Sequence, residues 1–388
     1  MSEWKKVKLG ELCDFINGGA WSDKEYAPEG IPVLKVTNCK NSGFSLSELS
    51  YLPYSLEQKY IQNKLQRNDV IIATVGSHPN LVNSSAGRSV IVNSFVEGFY
   101  LNQNAVCIRT KDEEILDQLF WGYYSKYYLF QNYIQMRGKG AANQMRIAIS
   151  AIKDYPMPLP PINVQRHIAT ILSRYDSLIE NYQKQIKLLE EAAQRLYKEW
   201  FIDLRFPGHE NTNIIDGVPE GWEKKSITDV LEIKYGKDHK LLKEGTIPVY
   251  GTGGIMRYVE KSLFTGESVL IPRKGSLNNI MLVGGTFWTI DTMFYSIPKE
   301  NNVAKIVYFY LKGVDMYSFN IGAAVPSMTV NILSGMKLLV PNEDVKNKFE
   351  TIASKYFIRM HSLQSQLRLL TEARDRLLPK LMSGEIEI

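Results

Sequence analysis

The sequence predicts an α+β protein with two tandem globular domains that are separated by a two-helix antiparallel coiled coil and related by approximate two-fold symmetry. Three observations support this. The stretch QIKLLEEAAQRL (185–196) returns later in the chain as QLRLLTEARDRL (366–377). Both copies have coiled-coil spacing, and each follows a region of short β-type runs. The chain of 388 residues is also longer than one hydrophobic core normally allows.

The repeated segment extends beyond this stretch. Residues 160–196 align with residues 341–377 without a gap, and 14 of the 37 positions are identical. Upstream the similarity is weaker, but short landmarks recur in the same order. They are GIPVLKV (30–36) with TIPVYGT (246–252), DVIIATVGS (69–77) with SVLIPRKGS (268–276), and RGKGAANQM (137–145) with NIGAAVPSM (320–328). A period of about 180 residues is too long for a solenoid repeat, so each copy is predicted to be a domain.

Two globular domains, which we call head 1 and head 2, are predicted over residues 1–158 and 219–340. Each contains short apolar β runs separated by Gly and Asn. In each head a helical stretch follows the β runs, residues 113–134 in head 1 and 303–314 in head 2. This pattern predicts an α+β head with a small twisted or barrel-like sheet. Residues 205–218 are rich in Pro, Gly and Asn and are predicted to be a connector.

The regions 159–204 and 341–388 are predicted to be long helices. Apolar residues recur in both at alternating spacings of four and three residues, which is the seam of a coiled coil. The predicted seam residues are Tyr175, Ile179, Tyr182, Ile186, Leu189, Leu196, Tyr356, Met360, Leu363, Leu367, Leu370 and Leu377. Head 2 starts where the first helix ends, so the helices are predicted to run antiparallel. The alternative is that each is an ordinary surface helix packed on its own domain.

The composition is that of an ordinary globular protein, and it limits the classes of function. The net charge of +5 is spread over both halves, which permits nucleic-acid binding but is weak evidence for it. The N-terminus lacks the apolar core of a signal peptide, and no run of about 18 apolar residues could span a membrane. The three cysteines form no C-x-x-C pair, which argues against structural zinc and disulfides and indicates a reducing cytoplasm.

The sequence contains no recognisable catalytic, cofactor or metal site. YGKD (235–238) lacks the leading Gly and the Ser or Thr of a phosphate-binding loop, and GTGGIM (251–256) is not a dinucleotide fingerprint. The five histidines are scattered and form no pair at metal-ligand spacing. The chain is therefore predicted to be non-catalytic by itself, with no cofactor of its own.

Four loops combine glycine with a few cations and many amide or hydroxyl side chains: residues 74–80 and 137–146 in head 1, and 250–257 and 273–279 in head 2. Glycine lets a backbone approach a DNA duplex closely, Arg and Lys reach phosphates or guanine, and Asn and Gln can pair with adenine. Each of these loops taken alone is typical of an ordinary turn, and it is their recurrence at matching places in both heads that favours contact with double-stranded DNA. The residues predicted to face DNA are Arg137, Lys139, Asn143, Gln144, Arg273, Lys274, Ser276 and Asn278.

Three further segments resemble the specificity subunit of type I restriction–modification systems. PLPPINVQRHIATIL (158–172) is similar to the start of that family's central helical region, GVPEGWE (217–223) to the opening of its second recognition domain, and LLPKLMSGEIEI (377–388) to its closing segment. The resemblance covers the whole chain in the family's order. Val164 departs from the Glu that is common before Gln165, and Arg374 places a charge on the second seam.

The resemblance implies a sequence-specific DNA-binding subunit in which each head reads one half of a split, asymmetric site. It also implies that the paired helices set the distance between the half-sites and dock two methylation subunits. Those subunits bring S-adenosylmethionine and methylate adenine N6, and restriction subunits, when present, add ATP- and Mg²⁺-dependent translocation and cleavage. The alternative is a non-DNA-binding assembly scaffold whose heads bind protein, which would lack DNA affinity that falls with salt.

Overall fold

A computed structural model of the chain describes residues 4–40, 43–46, 49–77, 85–141, 144–320 and 326–386. The chain divides into two compact units. The first consists of Met1–Gln183 with Ser365–Ile388, and the second of Lys184–Gln364. Each unit therefore contains one head and one end of each of the two long helices. No helix among the described residues is long and apolar enough to cross a membrane.

Head 1 is built from short strands with short helices between them. The strands are β1 (Lys5–Lys8), β2 (Cys13–Asn17), β3 (Ile31–Leu34), β4 (Cys39–Lys40), β5 (Gly43–Phe44), β6 (Ser50–Leu52), β7 (Val70–Ala73), β8 (Val75–Gly76), β9 (Ser89–Ile91), β10 (Tyr100–Leu101), β11 (Ala105–Thr110), β12 (Lys139–Ala141), β13 (Gln144–Arg146) and β14 (Pro156–Leu159). The helices are α1 (Leu9–Leu12), α2 (Gln118–Tyr124), α3 (Tyr128–Gln135) and α4 (Ile149–Lys153), after which comes the first long helix, α5 (Ile162–Tyr197). A π-helical turn, Lys198–Ile202, ends this long helix.

Head 2 and its connector repeat this pattern with fewer elements. The strands are β15 (Ile214–Ile215), β16 (Val218–Pro219), β17 (Glu223–Ser226), β18 (Leu231–Tyr235), β19 (Glu244–Gly251), β20 (Gly254–Val259), β21 (Phe264–Thr265), β22 (Ser268–Pro272), β23 (Met281–Val283), β24 (Thr286–Thr289), β25 (Met293–Pro298) and β26 (Lys337–Val340). The helices are α6 (Ile227–Val230), α7 (Ala304–Lys312), α8 (Val330–Gly335) and the second long helix, α9 (Glu343–Met382).

The two heads have matching sheet topology. An antiparallel sheet with strand order β2-β11-β7-β9 in head 1 corresponds to β18-β25-β22-β23 in head 2. The parallel pair β3–β10 corresponds to the parallel pair β19–β24. The first strand of each head pairs antiparallel with its last strand, β1 with β14 and β17 with β26. The structure therefore confirms the predicted α+β class and the duplication inferred from the sequence.

In the first unit, the ends of the long helices complete the core of head 1. Phe120, Trp121 and Phe130 are fully buried there. The same cluster contains Leu172 from the start of α5 and Leu381 from the end of α9. The start of one helix thus packs beside the end of the other, which is the antiparallel arrangement that the chain order predicts.

In the second unit, the other ends of the two helices pack into head 2. Phe349, near the start of α9, contacts Phe201 edge-to-face with a centroid distance of 4.9 Å, and Phe309 of α7 at 6.2 Å. Tyr197, near the end of α5, stacks on Phe201 at 5.1 Å. Such aromatic contacts add to the area that they bury, so each head is held by its helix ends.

The twelve predicted seam residues are all buried or half-buried. The charge on the seam, Arg374, is accommodated by an ion pair with Asp176 of α5, with Nη1 and Oδ1 2.6 Å apart. Asp176 also accepts a hydrogen bond of 2.8 Å from the Tyr123 hydroxyl of head 1. The equivalent positions in the other copy are Ala193 and Phe357, which are apolar. The two copies of the seam therefore use different chemistry at the same place.

A polar residue is buried at the same position near the start of both long helices. Gln165 of α5 donates to the Pro160 carbonyl at 2.8 Å and accepts from the Asp117 backbone N–H at 3.0 Å. Its equivalent in α9 is Lys346, whose Nζ lies 2.9 Å from a Glu300 carboxylate oxygen. Buried polar groups need such partners, so each helix is anchored to its head by a satisfied polar contact.

The Glu300 contacts predict how stability depends on pH. Hydrogen bonds from Lys225 and then Lys346 hold the pKa of Glu300 below its usual value. Because the pKa is lower in the folded state, the ionised carboxylate stabilises the fold. This stabilisation is complete above the pKa of the unfolded state, roughly 4.3, and is lost as the pH falls through the pKa of the folded state. Glu300→Gln should therefore lower the free energy of unfolding by about 2 kcal/mol at pH 7, with a gap that closes below about pH 4. Denaturant unfolding of both proteins between pH 3 and 8 measures this gap, and a constant gap would contradict the assignment.

The three cysteines are buried and unpaired. Burial raises the pKa of Cys13 and of Cys39 to about 12. Because the thiolate is the reactive form, these side chains act as small apolar core residues.

Candidate nucleic-acid interface

In head 1, the two loops singled out in the sequence lie side by side. Strand β8 pairs antiparallel with β13, so that Gly76 lies opposite Met145 and Val75 opposite Arg146. Strands β12 and β13 form a hairpin, and Gly140 in it has a φ of 134°. A Cβ at Gly140 would lie 2.2 Å from a backbone carbonyl, so this position requires glycine.

The predicted DNA-facing residues of head 1 that the structure describes lie on or beside this hairpin. The Arg137 guanidinium lies 3.5 Å from the centroid of the Tyr133 ring and donates to the Tyr133 carbonyl at 3.1 Å. Lys139 and Gln144 are exposed, as is Arg146 beside them. None of these cations forms an ion pair within the described part of the chain. Asn143 lies outside the described residues.

In head 2, the corresponding loops meet in the same way. The Gly275 N–H donates to the Pro326 carbonyl at 3.0 Å, and the Met328 N–H donates to the Arg273 carbonyl at 2.9 Å. The Asn279 amide donates to the Thr252 carbonyl at 2.6 Å, which brings the turn between β19 and β20 to the same place. Loops far apart in the sequence therefore form one edge of each head.

The predicted residues of head 2 differ in how much of each side chain is available. Lys274 and Ser276 are exposed. Arg273 is half-buried and lies 5.3 Å from the centroid of the Tyr235 ring. The Asn278 amide donates to Asp315 at 3.0 Å and accepts from the Met316 N–H at 2.7 Å. Its amide thus already holds the loop in position.

Sequence reasoning missed a group of exposed apolar side chains next to these loops. Ile255, Met256 and Tyr258 of β20 and Tyr235 of β18 are all exposed. Apolar and aromatic side chains at a DNA interface contact thymine methyl groups or stack on bases. The available signal was the run GIMRYV (254–259), in which apolar residues are not confined to one face of the strand.

The arrangement at both edges suits contact with a duplex. Exposed cations can bind phosphates, while backbone turns at glycine and amide side chains can approach base edges. The described residues contain no cluster of His, Cys, Asp and Glu that could hold a metal ion. A cavity of about 620 Å³ in the second unit is lined by residues of α5 and α7, among them Glu191, Arg195 and Tyr310.

Comparison with known proteins provides a family match. The profile of the family described as "Type I restriction modification DNA specificity domain" matches residues 1–191 and 219–363. Together these two segments make up most of the chain.

Two curated relatives come from Methanocaldococcus jannaschii. The type I restriction enzyme MjaIX specificity subunit is 27% identical over an alignment of 278 positions, which covers 62% of this chain and 62% of the relative. The putative type I restriction enzyme MjaX specificity subunit is 24% identical over 237 residues, 61% of this chain and 53% of the relative. The chain thus spans less than two thirds of the length of either relative.

A solved structure supports the fold over nearly the full length. The S subunit of a type I restriction–modification system from M. genitalium aligns with a TM-score of 0.58 and 21% identity. The alignment covers 97% of this chain and 96% of that protein. At this identity the match is evidence for the fold alone.

Proposed function

This chain belongs to the type I restriction modification DNA specificity family, and from that premise we propose that it is a sequence-specific DNA-binding specificity subunit. Each head reads one half of a bipartite, asymmetric site in double-stranded DNA. The observation that carries the proposal is the paired loop edge, which occurs at the same place in both heads but with different side chains. A shared scaffold with unlike loops suits two different half-sites.

We assign the loop residues to two kinds of contact. Lys139, Lys274 and Ser276 are exposed and reach phosphates. Arg137 and Arg273 are each positioned over a tyrosine ring, which orients the guanidinium for guanine. The amides of Gln144 and Asn143 pair with adenine, while Asn278 faces DNA from a loop that its own hydrogen bonds hold in place.

The proposed partners are two copies of a methylation subunit, docked on the long helices, together with restriction subunits in systems that have them. We place S-adenosylmethionine, ATP and Mg²⁺ on those partners and treat this chain as non-catalytic. The buried, unpaired cysteines support a cytoplasmic location.

The docking surface is a helix face that recurs in both copies. Four of its residues in α5 are Lys187, Leu188, Glu191 and Arg195, and their equivalents in α9 are Arg368, Leu369, Glu372 and Arg376. All eight are exposed, including Leu188 at 62% and Leu369 at 56%. We call these residues the repeated helix face.

Packing within this chain does not account for the likeness of these exposed residues. Only 14 of 37 aligned positions are identical, yet Leu, Glu and Arg of the repeated helix face recur at identical spacing. Each copy also has an i,i+4 ion pair, Lys187 with Glu191 and Arg368 with Glu372. A single exposed leucine is ordinary, but the same exposed set in two copies fits two molecules of one partner.

The test is co-expression with the methylation subunit of the same system in a methylation-free host, followed by single-molecule sequencing for N6-methyladenine. A split, asymmetric motif that disappears without this chain is the expected result. Full assembly without methylation, together with DNA affinity that does not change with salt, would instead identify a protein-binding scaffold.

Arg273→Ala should weaken binding to the DNA target by about 1–3 kcal/mol, or roughly 5- to 150-fold, because it removes a guanine contact. The loss of sequence specificity should be confined to one half-site. Fluorescence anisotropy with the target and with duplexes altered in one half-site measures both effects. Arg205→Ala, at an exposed arginine of the connector, is the control and should bind normally. Loss of subunit assembly in Arg273→Ala would show that Arg273 is misassigned.

A further inference from the structure

We propose that residues 237–243, which we call the lysine loop, form a second DNA contact that only head 2 possesses among the described residues. The loop connects β18 to β19 and has the sequence KDHKLLK. Lys237, Lys240 and Lys243 bind backbone phosphates beside the half-site that head 2 reads, and Leu241 packs against the sugar and base edges of the groove. This inference rests on the proposed function and extends it.

The lysines of this loop are available for a ligand. Lys237, Lys240 and Lys243 are all exposed, and none forms an ion pair with a described residue. Leu241 between them is 98% exposed. A fully exposed leucine contributes nothing to its own fold, and apolar side chains beside cations are typical of groove-binding segments, where they wedge between base steps.

Hydrogen bonds hold the loop in one shape. The indole N–H of Trp288 donates to the Lys237 carbonyl at 2.9 Å, and Arg257 donates to the Leu242 carbonyl at 2.7 Å. Asp238 accepts from the backbone N–H of Lys240 at 3.0 Å, and this bond lowers the pKa of Asp238. A loop that is ordered before binding loses less entropy when it contacts DNA.

The base of the loop adjoins the candidate interface of head 2. The Lys237 N–H donates to the Thr289 carbonyl at 2.9 Å. The Arg273 N–H donates to the Thr292 carbonyl at 2.8 Å, three residues further along the same turn. A duplex bound at Arg273 would therefore have its backbone beside the lysine loop.

Head 1 has different chemistry at the same point of the topology. The segment between β2 and β3 contains Asp23, Glu25 and Glu29 and the single lysine Lys24. Glu25 pairs with Lys59 at 2.8 Å, and Trp21 is buried, so this segment is packed on head 1. Negative carboxylates there would repel phosphates, which makes the contact specific to head 2.

The experiment uses the full chain and a 40-bp duplex of random sequence (about four helical turns), with affinity measured between 50 and 300 mM salt. The dissociation constant for the duplex should rise more than about tenfold at 0.1 M salt in the triple variant that combines Lys237→Ala, Lys240→Ala and Lys243→Ala. The slope of log K against log salt should fall by about 0.9 for each phosphate that the variant no longer binds. Leu241→Ala should weaken binding several-fold with the slope unchanged.

A charge-matched variant separates a local contact from net charge. The control is a triple variant that removes three exposed lysines of the same unit: Lys224→Ala in β17, Lys337→Ala in β26 and Lys355→Ala in α9. It should keep the wild-type slope of log K against log salt. A lysine-loop variant with the wild-type slope, or a control whose slope falls as much, would overturn this inference while leaving the proposed function intact. Wild-type protein with no salt-dependent affinity would overturn the proposed function itself.

Discussion

A chain with both Leu188→Arg and Leu369→Arg should lose nearly all adenine methylation in the co-expression assay while its own affinity for DNA stays unchanged. Both leucines are exposed, so the substitutions should leave the fold intact. At a docked interface, however, each arginine would place an unpaired charge where an apolar side chain was covered, and disrupting such a central position costs about 2 kcal/mol or more. Two weakened sites would leave few complexes with both partners bound.

The control comes from the repeat itself. Leu178 is exposed on α5, but its equivalent in α9 is Arg359, so an arginine is already accepted at that position in one copy. The Leu178→Arg variant should therefore give normal adenine methylation in the co-expression assay. Native mass spectrometry of the single variants should show complexes with one methylation subunit in place of two. Undiminished methylation in the double variant would exclude the repeated helix face as the docking surface.

The second large effect concerns stability. Lys305→Met should lower the free energy of unfolding of the second unit by about 3–5 kcal/mol. The Lys305 side chain is 7% exposed, and its Nζ lies 2.6 Å from Glu267 and 2.7 Å from Glu350. Removing the cation leaves two half-buried carboxylates facing each other without a counter-charge. Denaturant unfolding gives the decrease in stability, and hydrogen exchange should locate it in α7 and the start of α9.

Two controls separate charge from packing. Adding Glu267→Gln and Glu350→Gln to Lys305→Met should restore most of the missing stability, because no uncompensated charge then remains. Lys312→Met, at an exposed position on the same helix, should change stability by less than about 0.5 kcal/mol. If the triple variant is no more stable than Lys305→Met, the decrease comes from packing and the electrostatic account is wrong.

The long helices could be predicted closely because their signal is local. An apolar period of 3.5 residues predicted long helices within residues 159–204 and 341–388, and the structure has α5 at Ile162–Tyr197 and α9 at Glu343–Met382. The duplication was equally visible, since a fixed offset aligns residues 160–196 with residues 341–377 without a gap. Both features depend on residues that are near one another in the sequence or repeated in it.

The sheets of the heads and the details of the interface could not be predicted in this way. The parallel pairing of β3 with β10 joins segments that are separated by residues 35–99, and no local pattern encodes it. The Asn278 amide forms hydrogen bonds with Asp315 and Met316, and these residues are far from Asn278 in the sequence. No motif sets the lysine loop apart in the sequence, and only the structure brings its start and Arg273 to the same turn.

The buried polar anchors have a consequence for chimeric proteins. Gln165 bonds to backbone groups of the first unit, whereas Lys346 pairs with the carboxylates of Glu300 in head 2 and Glu343 in its own helix. A head grafted from a relative onto the existing helix would remove Glu300 and leave Lys346 paired only with the exposed Glu343 of its own helix, unless the donor supplies a second carboxylate. The junction of such a hybrid therefore belongs inside the helix, beyond its first turns, so that each head keeps its own anchor.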